Sequence, residues 1–154
     1  MVVVRPKELD EMYARREEYI QHRLTLPITD EQYLWWDNIL ANYYDEAVEE
    51  YIKLLGMTSL KRRHRCFDTG LPARLKTRFQ DKTVFAHRFT YVIRVSLPLS
   101  TKQVIRHQCA NYRCLNAAHI EVGDQAQNFQ DLLAVRAYGV RWALLPKEPL
   151  ETLK

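Results

Sequence analysis

The stretch Asp30–Gly56, DEQYLWWDNILANYYDEAVEEYIKLLG, decides how the fold is read. Trp35, Ile39, Asn42, Tyr43, Val48, Tyr51, Ile52 and Leu55 recur on one side at helical spacing. Thr29 offers an N-cap with Gln32 three residues on, a capping-box pattern, and Gly56 stands where a C′ glycine belongs. The spacing therefore predicts one long helix from Asp30 to Leu55. Tyr33, Trp35, Trp36, Tyr43, Tyr44 and Tyr51 spread around its circumference, so it needs cover on several sides, from other helices or from a partner protein.

Working outward, residues 5–24 read as a preceding helix, with Leu9, Met12, Tyr13, Arg16, Ile20 and Leu24 near helical spacing and Pro27 breaking it. Residues 57–82 lack a sustained apolar period and read as an extended loop. Thr83–Leu97 fits a helix through Val84, Phe85, Phe89, Val92 and Ile93, and a strand through Tyr91, Ile93 and Val95; Pro98 ends it either way. Ser100 or Thr101 caps a predicted helix to about Val122, with Gly123 behind it. Asp124–Tyr138 is a further helix candidate stopped by Gly139, and Pro146 and Pro149 mark an extended tail. The expected fold is mainly α: N-terminal helices, a basic extended RNA-binding loop, then more helices and the tail. Three units follow: an acidic helical segment 1–57, a basic core 58–98 and a helical C-terminal extension 99–154.

The 154 residues are 47% apolar and 27% charged, which argues against wholesale disorder. The longest apolar run, Val140–Leu145, is interrupted by Arg141 and is too short to cross a membrane, so no membrane partner is expected. The opening Met1-Val2-Val3-Val4-Arg5-Pro6 lacks the apolar core of a secretion signal. Three cysteines cannot form a paired disulfide framework, which favours a reducing compartment.

Charge is distributed unevenly. Residues 1–57 carry 6 Lys/Arg and 12 Asp/Glu, whereas residues 58–113 carry 13 and 2. A segment of net +11 repels itself unless a polyanion neutralises it, and a phosphate backbone is the commonest such partner. Its densest part runs from Ser59 to Arg74. Asp68, Thr69, Gly70 and Pro72 form a turn, and guanidinium groups surround it. Arginine forks suit an irregular RNA surface, where phosphates converge. The candidate RNA-binding residues are Lys61, Arg62, Arg63, His64, Arg65, Thr69, Arg74, Lys76, Arg78 and Lys82. No catalytic constellation is visible, and a non-enzymatic role is expected.

Arg65, Cys66, Thr69, Gly70, Pro72, Arg78 and Phe79 stand at offsets that resemble the signature of the small-subunit ribosomal protein S-fourteen family. His64, Leu71 and Ala73-Arg74 depart from it, and it covers residues 45–98 at most. The resemblance implies a structural constituent of the small ribosomal subunit head, binding ribosomal RNA and neighbouring small-subunit proteins. The extensions at both ends suggest a mitochondrial ribosome. Some members hold zinc through paired Cys-x-x-Cys motifs. Here Thr69 follows Cys66 at the second position, so the zinc-free type is implied. A metal site built from Cys66, Cys109, Cys114, His107 and His119 is chemically admissible, but its spacing is a weak zinc pattern. No metal and no cofactor are expected, and the thiols are read as small buried apolar groups.

Two other readings compete. Phe85-Ala86-His87-Arg88-Phe89-Thr90-Tyr91 with Gln103-Val104-Ile105-Arg106-His107-Gln108 resembles part of a flavin-dependent thymidylate synthase, with Gln108 in place of that family's second arginine. An accessory subunit of an organellar membrane complex would suit the aromatic helix but not the basic segment.

Overall fold

The computed structural model describes residues 1–23, 28–61, 65–127 and 130. Among the described residues are four α-helices, one 3-10 turn and three two-stranded antiparallel sheets. The chain is thus mixed α/β, not mainly α, and the correction arises in two places.

The first is the long aromatic stretch, which forms two helices. The helix α1 (Pro6–Gln21) comes before it, with Pro6 in the first turn, where a missing N–H costs nothing. Asp30, not Thr29, then caps α2 (Glu31–Asn42), its carboxylate accepting from the Tyr33 N–H at 3.0 Å. The helical path breaks at Tyr43 (φ −132°, ψ 27°), and α3 (Tyr44–Gly56) begins there. The break lets both halves face one core. Trp36, Ile39 and Leu40 enter it from α2, and Tyr44, Ala47, Val48, Tyr51, Leu54 and Leu55 from α3. The Tyr44 hydroxyl donates towards the Met12 and Ile93 carbonyls, at 3.2 and 3.1 Å, which fixes the turn from inside. Gly56 is the last residue of α3, not the glycine beyond it.

The second is the region read as loop and then helix. It holds the strands β1 (Ser59–Leu60), β2 (Phe67–Asp68), β3 (Lys76–Phe79) and β4 (Lys82–Phe85). The pair β3–β4 is a tight hairpin, with Lys76 opposite Phe85 and Phe79 opposite Lys82, turned by Gln80 at φ 53°. Thr83–Leu97 follows its helical reading over α4 (Ala86–Val95), which takes in Tyr91, Ile93 and Val95 of the strand reading, while Val84 and Phe85, read as helical, belong to the end of β4. The helix α4 ends before Pro98, at Ser96 in the left-handed conformation. The helix expected over 100–122 is replaced by β5 (Val104–His107), a loop, the 3-10 turn Ala117–His119, and β6 (Ile120–Gly123) paired to β5. The β-branched Val104 and Ile105 favour the strand. Asn111 and Asn116 bond to the backbone two residues on, which diverts the chain from a helix. The helix candidate Asp124–Tyr138 and the tail lie mostly or wholly outside the described residues.

The helix α4 is the hub. It buries Phe89, Val92 and Ile93 against α1, α3 and the β3–β4 hairpin, and it also touches the 3-10 turn. Arg94 of α4 is buried against Glu8 of α1, with Nε 3.3 Å from Oε1. Asp30 accepts from the Thr101 N–H at 2.9 Å, and the Phe67 carbonyl accepts from the Leu115 N–H at 3.0 Å. Contacts therefore cross both unit boundaries drawn from charge.

Candidate metal centre

The two short strands β1 and β2 exist to bring Cys66 to a second loop. Lys61 N–H donates to the Cys66 carbonyl at 2.8 Å, closing the first turn, and Arg65 turns the chain into Cys66 with φ 54°. The second loop leaves β5 after His107. Ala110 adopts φ 62° directly after Cys109, and Cys114 N–H donates to the Asn111 carbonyl at 3.0 Å. Left-handed backbone at two residues other than glycine is held strain of the kind found at functional sites. The 3-10 turn then delivers His119, whose backbone N–H donates to the Asn116 carbonyl at 2.9 Å.

The result is one buried cluster of Cys66, Cys109, Cys114 and His119, whose ligand atoms all lie within 4.8 Å of one another. His119 Nδ1 is 3.8 Å from Cys66 Sγ and 3.6 Å from Cys114 Sγ. A tetrahedral zinc with about 2.3 Å to sulfur and about 2.0 Å to nitrogen sets its donors roughly 3.5–3.8 Å apart. Three thiols and one imidazole make a donor set suited to zinc, closed to a fifth ligand and hence structural in type. The thiols are buried, as the sequence reading expects, and the fold also brings them together with His119, while His107 of the admissible set is not among the four.

The electrostatics fit a cation. The neighbouring Cys114 and Cys66 thiols stabilise a Cys109 thiolate and draw its pKa down, while burial holds the Cys114 thiol well above its ordinary value. A divalent ion held by these four residues would supply the charge that lets all three thiols ionise together. The outer layer is also built. Asn116 Nδ2 donates to the Arg65 carbonyl at 3.3 Å, Asn116 N–H approaches Cys114 Sγ at 3.4 Å, and Gln108 N–H donates to the His119 carbonyl at 2.8 Å. Asp68, 3% exposed, joins the two loops by accepting from Gly70 N–H, Asn111 Nδ2 and Arg113 Nη2 at 2.7, 2.8 and 3.2 Å. Burial works against its charge, but these donors outweigh it and hold the carboxyl below its usual range.

The sequence-predicted RNA residues scatter around this centre. Arg62, Arg63 and His64 lie outside the described residues. Lys61 and Arg65 are exposed beside Cys66. The Thr69 hydroxyl accepts from the Leu71 N–H at 3.2 Å, so it holds the turn. Lys76 and Arg78 point outward from β3 while Thr77 and Phe79 point inward, the alternation of a strand with one buried face. Arg74 lies over the rings of Phe85 and Tyr112, at 5.6 and 5.2 Å from their centres, and Lys82 lies over Trp35 at 5.5 Å. Tyr112, Arg113 and Asn116 are the residues that sequence reasoning missed. The even spacing Cys109-x4-Cys114-x4-His119 was the available signal.

One neighbour of the cluster is chemically distinctive. His107, at the end of β5, places Nε2 3.0 Å from the Cys114 carbonyl. The ring of His87 meets it edge-on at 5.0 Å, and His87 stacks on Phe85 at 5.4 Å. Burial, reinforced by the charges of His107, Arg74 and Arg88, pushes the His87 pKa down to about 2, so His87 is neutral.

Comparison with protein-family models, with curated proteins and with solved structures gives no match for this chain.

Proposed function

We propose that the chain is a zinc-ordered nucleic-acid-binding protein. The observation that carries this is the β3–β4 hairpin and its flank. Among the described residues, Arg74, Lys76, Arg78 and Lys82 have no carboxylate within ion-pair distance, and three of them lie over aromatic rings instead. Cations left without acidic partners and interleaved with rings suit a chain of phosphates and bases. The Cys66–His119 cluster ties the loops beside them into a fixed shape. The test is binding of labelled RNA and DNA over a range of salt. Affinity should fall linearly on a log–log plot, and Lys76→Ala with Arg78→Ala should flatten that slope by somewhat less than one unit per residue.

The finer reading, a constituent of a mitochondrial small ribosomal subunit in contact with ribosomal RNA and neighbouring proteins, rests on the run Arg65–Phe79. Its support is sequence alone, because Cys66, Phe67 and Asp68 each take a partner from residues 109–119, beyond the stretch the resemblance covers. Co-sedimentation with small ribosomal subunits tests it.

A second reading is favoured by His107. A carbonyl only accepts, so in the contact with Cys114 Nε2 is the donor and the ring is held in place. An imidazole fixed in this way at the end of β5, only 7% exposed, suits general-base hydrolysis of a phosphodiester. Cleavage of plasmid DNA or of RNA in the presence of magnesium or manganese, abolished by His107→Ala, would support hydrolysis. An intact substrate would leave binding as the function.

A further inference from the structure

We infer that a track of three aromatic rings, Trp35, Phe85 and Tyr112, is a path for single-stranded nucleic acid, and that the cleft at its Trp35–Phe85 end receives one unpaired base. This rests on the reading of the chain as a nucleic-acid binder and adds to it the strandedness of the ligand and the place where a base is held.

The cleft lies between α2 and the β3–β4 hairpin and has a volume of about 460 Å³, within the range that small-molecule sites occupy. Trp35 and Phe85 line it together with Lys76, Lys82, Arg88 and Gln32. No carboxylate belongs to its lining; Asp81, at the rim, accepts from Trp35 Nε1 at 3.4 Å. Arg88 is half-buried and is held by neutral partners, the Gln103 carbonyl at 3.2 Å and Gln32 Oε1 at 3.3 Å, so its charge stands uncancelled in the wall. Lys82 Nζ is 5.5 Å from the centre of the Trp35 ring, and Lys76 Nζ is 5.2 Å from that of Phe85.

Rings with cations over their faces present both halves of what a nucleotide needs, a surface for stacking and a charge for its phosphate. The ammonium groups of Lys76 and Lys82 are on flexible stems and can swing from ring face to phosphate as a base slides in. The arrangement continues beyond the cleft. Arg74 lies over both Phe85 and Tyr112, and Arg113 lies over Tyr112 at 5.9 Å. Tyr112, 47% exposed, sits in the loop between Cys109 and Cys114. Rings and guanidinium groups thus alternate from the cleft to the loop between Cys109 and Cys114. A duplex keeps its base faces stacked on each other, so only an unpaired strand can use these rings.

The test uses the full chain with a short mixed-sequence oligonucleotide as single-stranded RNA, as single-stranded DNA and as duplex DNA. Anisotropy reads affinity, and tryptophan emission reads the cleft. The single strands should bind more tightly than the duplex and quench the tryptophans. Trp35→Ala or Phe85→Ala should weaken single-strand binding roughly tenfold, about the loss of one stacked base, with duplex binding unchanged. Lys76→Glu and Lys82→Glu, which leave the core untouched, should weaken single-strand binding by at least as much and remove the tryptophan quenching if the ring variants fold poorly. Quenching by either sugar supports the inference. If nucleic acid binds without quenching, or if all four variants bind single strands like the parent, the track is overturned while the binding function stands. If no nucleic acid binds at all, both fall.

Discussion

At the residue scale, one amino acid does different work according to what faces it. Lys76 and Arg78 face solvent from β3, whereas Arg113 spans from Asp68 to the Leu71 carbonyl, 2.6 Å away. Arg113→Ala should therefore cost about 1–3 kcal/mol of stability, read by denaturant unfolding, because Asp68 loses a charged donor. The same change at Arg78 should be close to neutral for stability and lower only the salt slope. Glu8 gives a pH signature. Burial raises its pKa to about 7 against the pull of Arg94. Between the ordinary carboxylate value and about 7 the folded chain therefore holds a proton that the unfolded chain has lost. Stability from this group is fully present below the ordinary value and declines as pH rises through about 7. Glu8→Gln should remove that decline in the pH dependence of the unfolding midpoint; an unchanged slope would mean that Glu8 is not its source.

At the scale of elements, the sequence was readable where periodicity is strong and unreadable where long-range contacts decide. Residues 6–21 follow apolar spacing that local rules recognise, whereas 83–97 fits helix and strand alike and only the packing of α4 decides for the helix. The break at Tyr43 carries no glycine or proline; it comes from the Tyr44 hydroxyl reaching carbonyls in α1 and α4. The strands β1 and β2, of two residues each, are too short to show alternation and are held by the junction they form. The cysteines and His119 could be listed from the sequence. Their convergence could not, because the 42 residues between Cys66 and Cys109 fold into a hairpin and a helix first. A testable consequence lies at the end of α4. Ser96 adopts φ 56°, a conformation that costs a residue with a Cβ about 1 kcal/mol. Ser96→Gly should raise stability by about that much, read as a shift in the urea midpoint.

At the scale of the whole molecule, the charge asymmetry becomes an arrangement. The acidic helices α1 and α3 pack on α4 and supply Glu8 and Glu11 to Arg94, and Glu50 accepts from the Thr77 hydroxyl at 2.5 Å behind the hairpin. The outward face of β3 keeps its cations. In this account the four-ligand cluster joins the loop before β2 to the loop after β5, so metal, shape and nucleic-acid binding are coupled. Removing the metal with a chelator should lower the thermal midpoint and weaken nucleic-acid binding together. The most direct test is the metal content of the purified chain, by elemental analysis alongside native mass spectrometry. The account predicts one zinc per chain, lost on chelation and lost in Cys66→Ser and Cys114→Ser. A chain that folds and binds nucleic acid with no bound metal, its three thiols freely titratable, would contradict it.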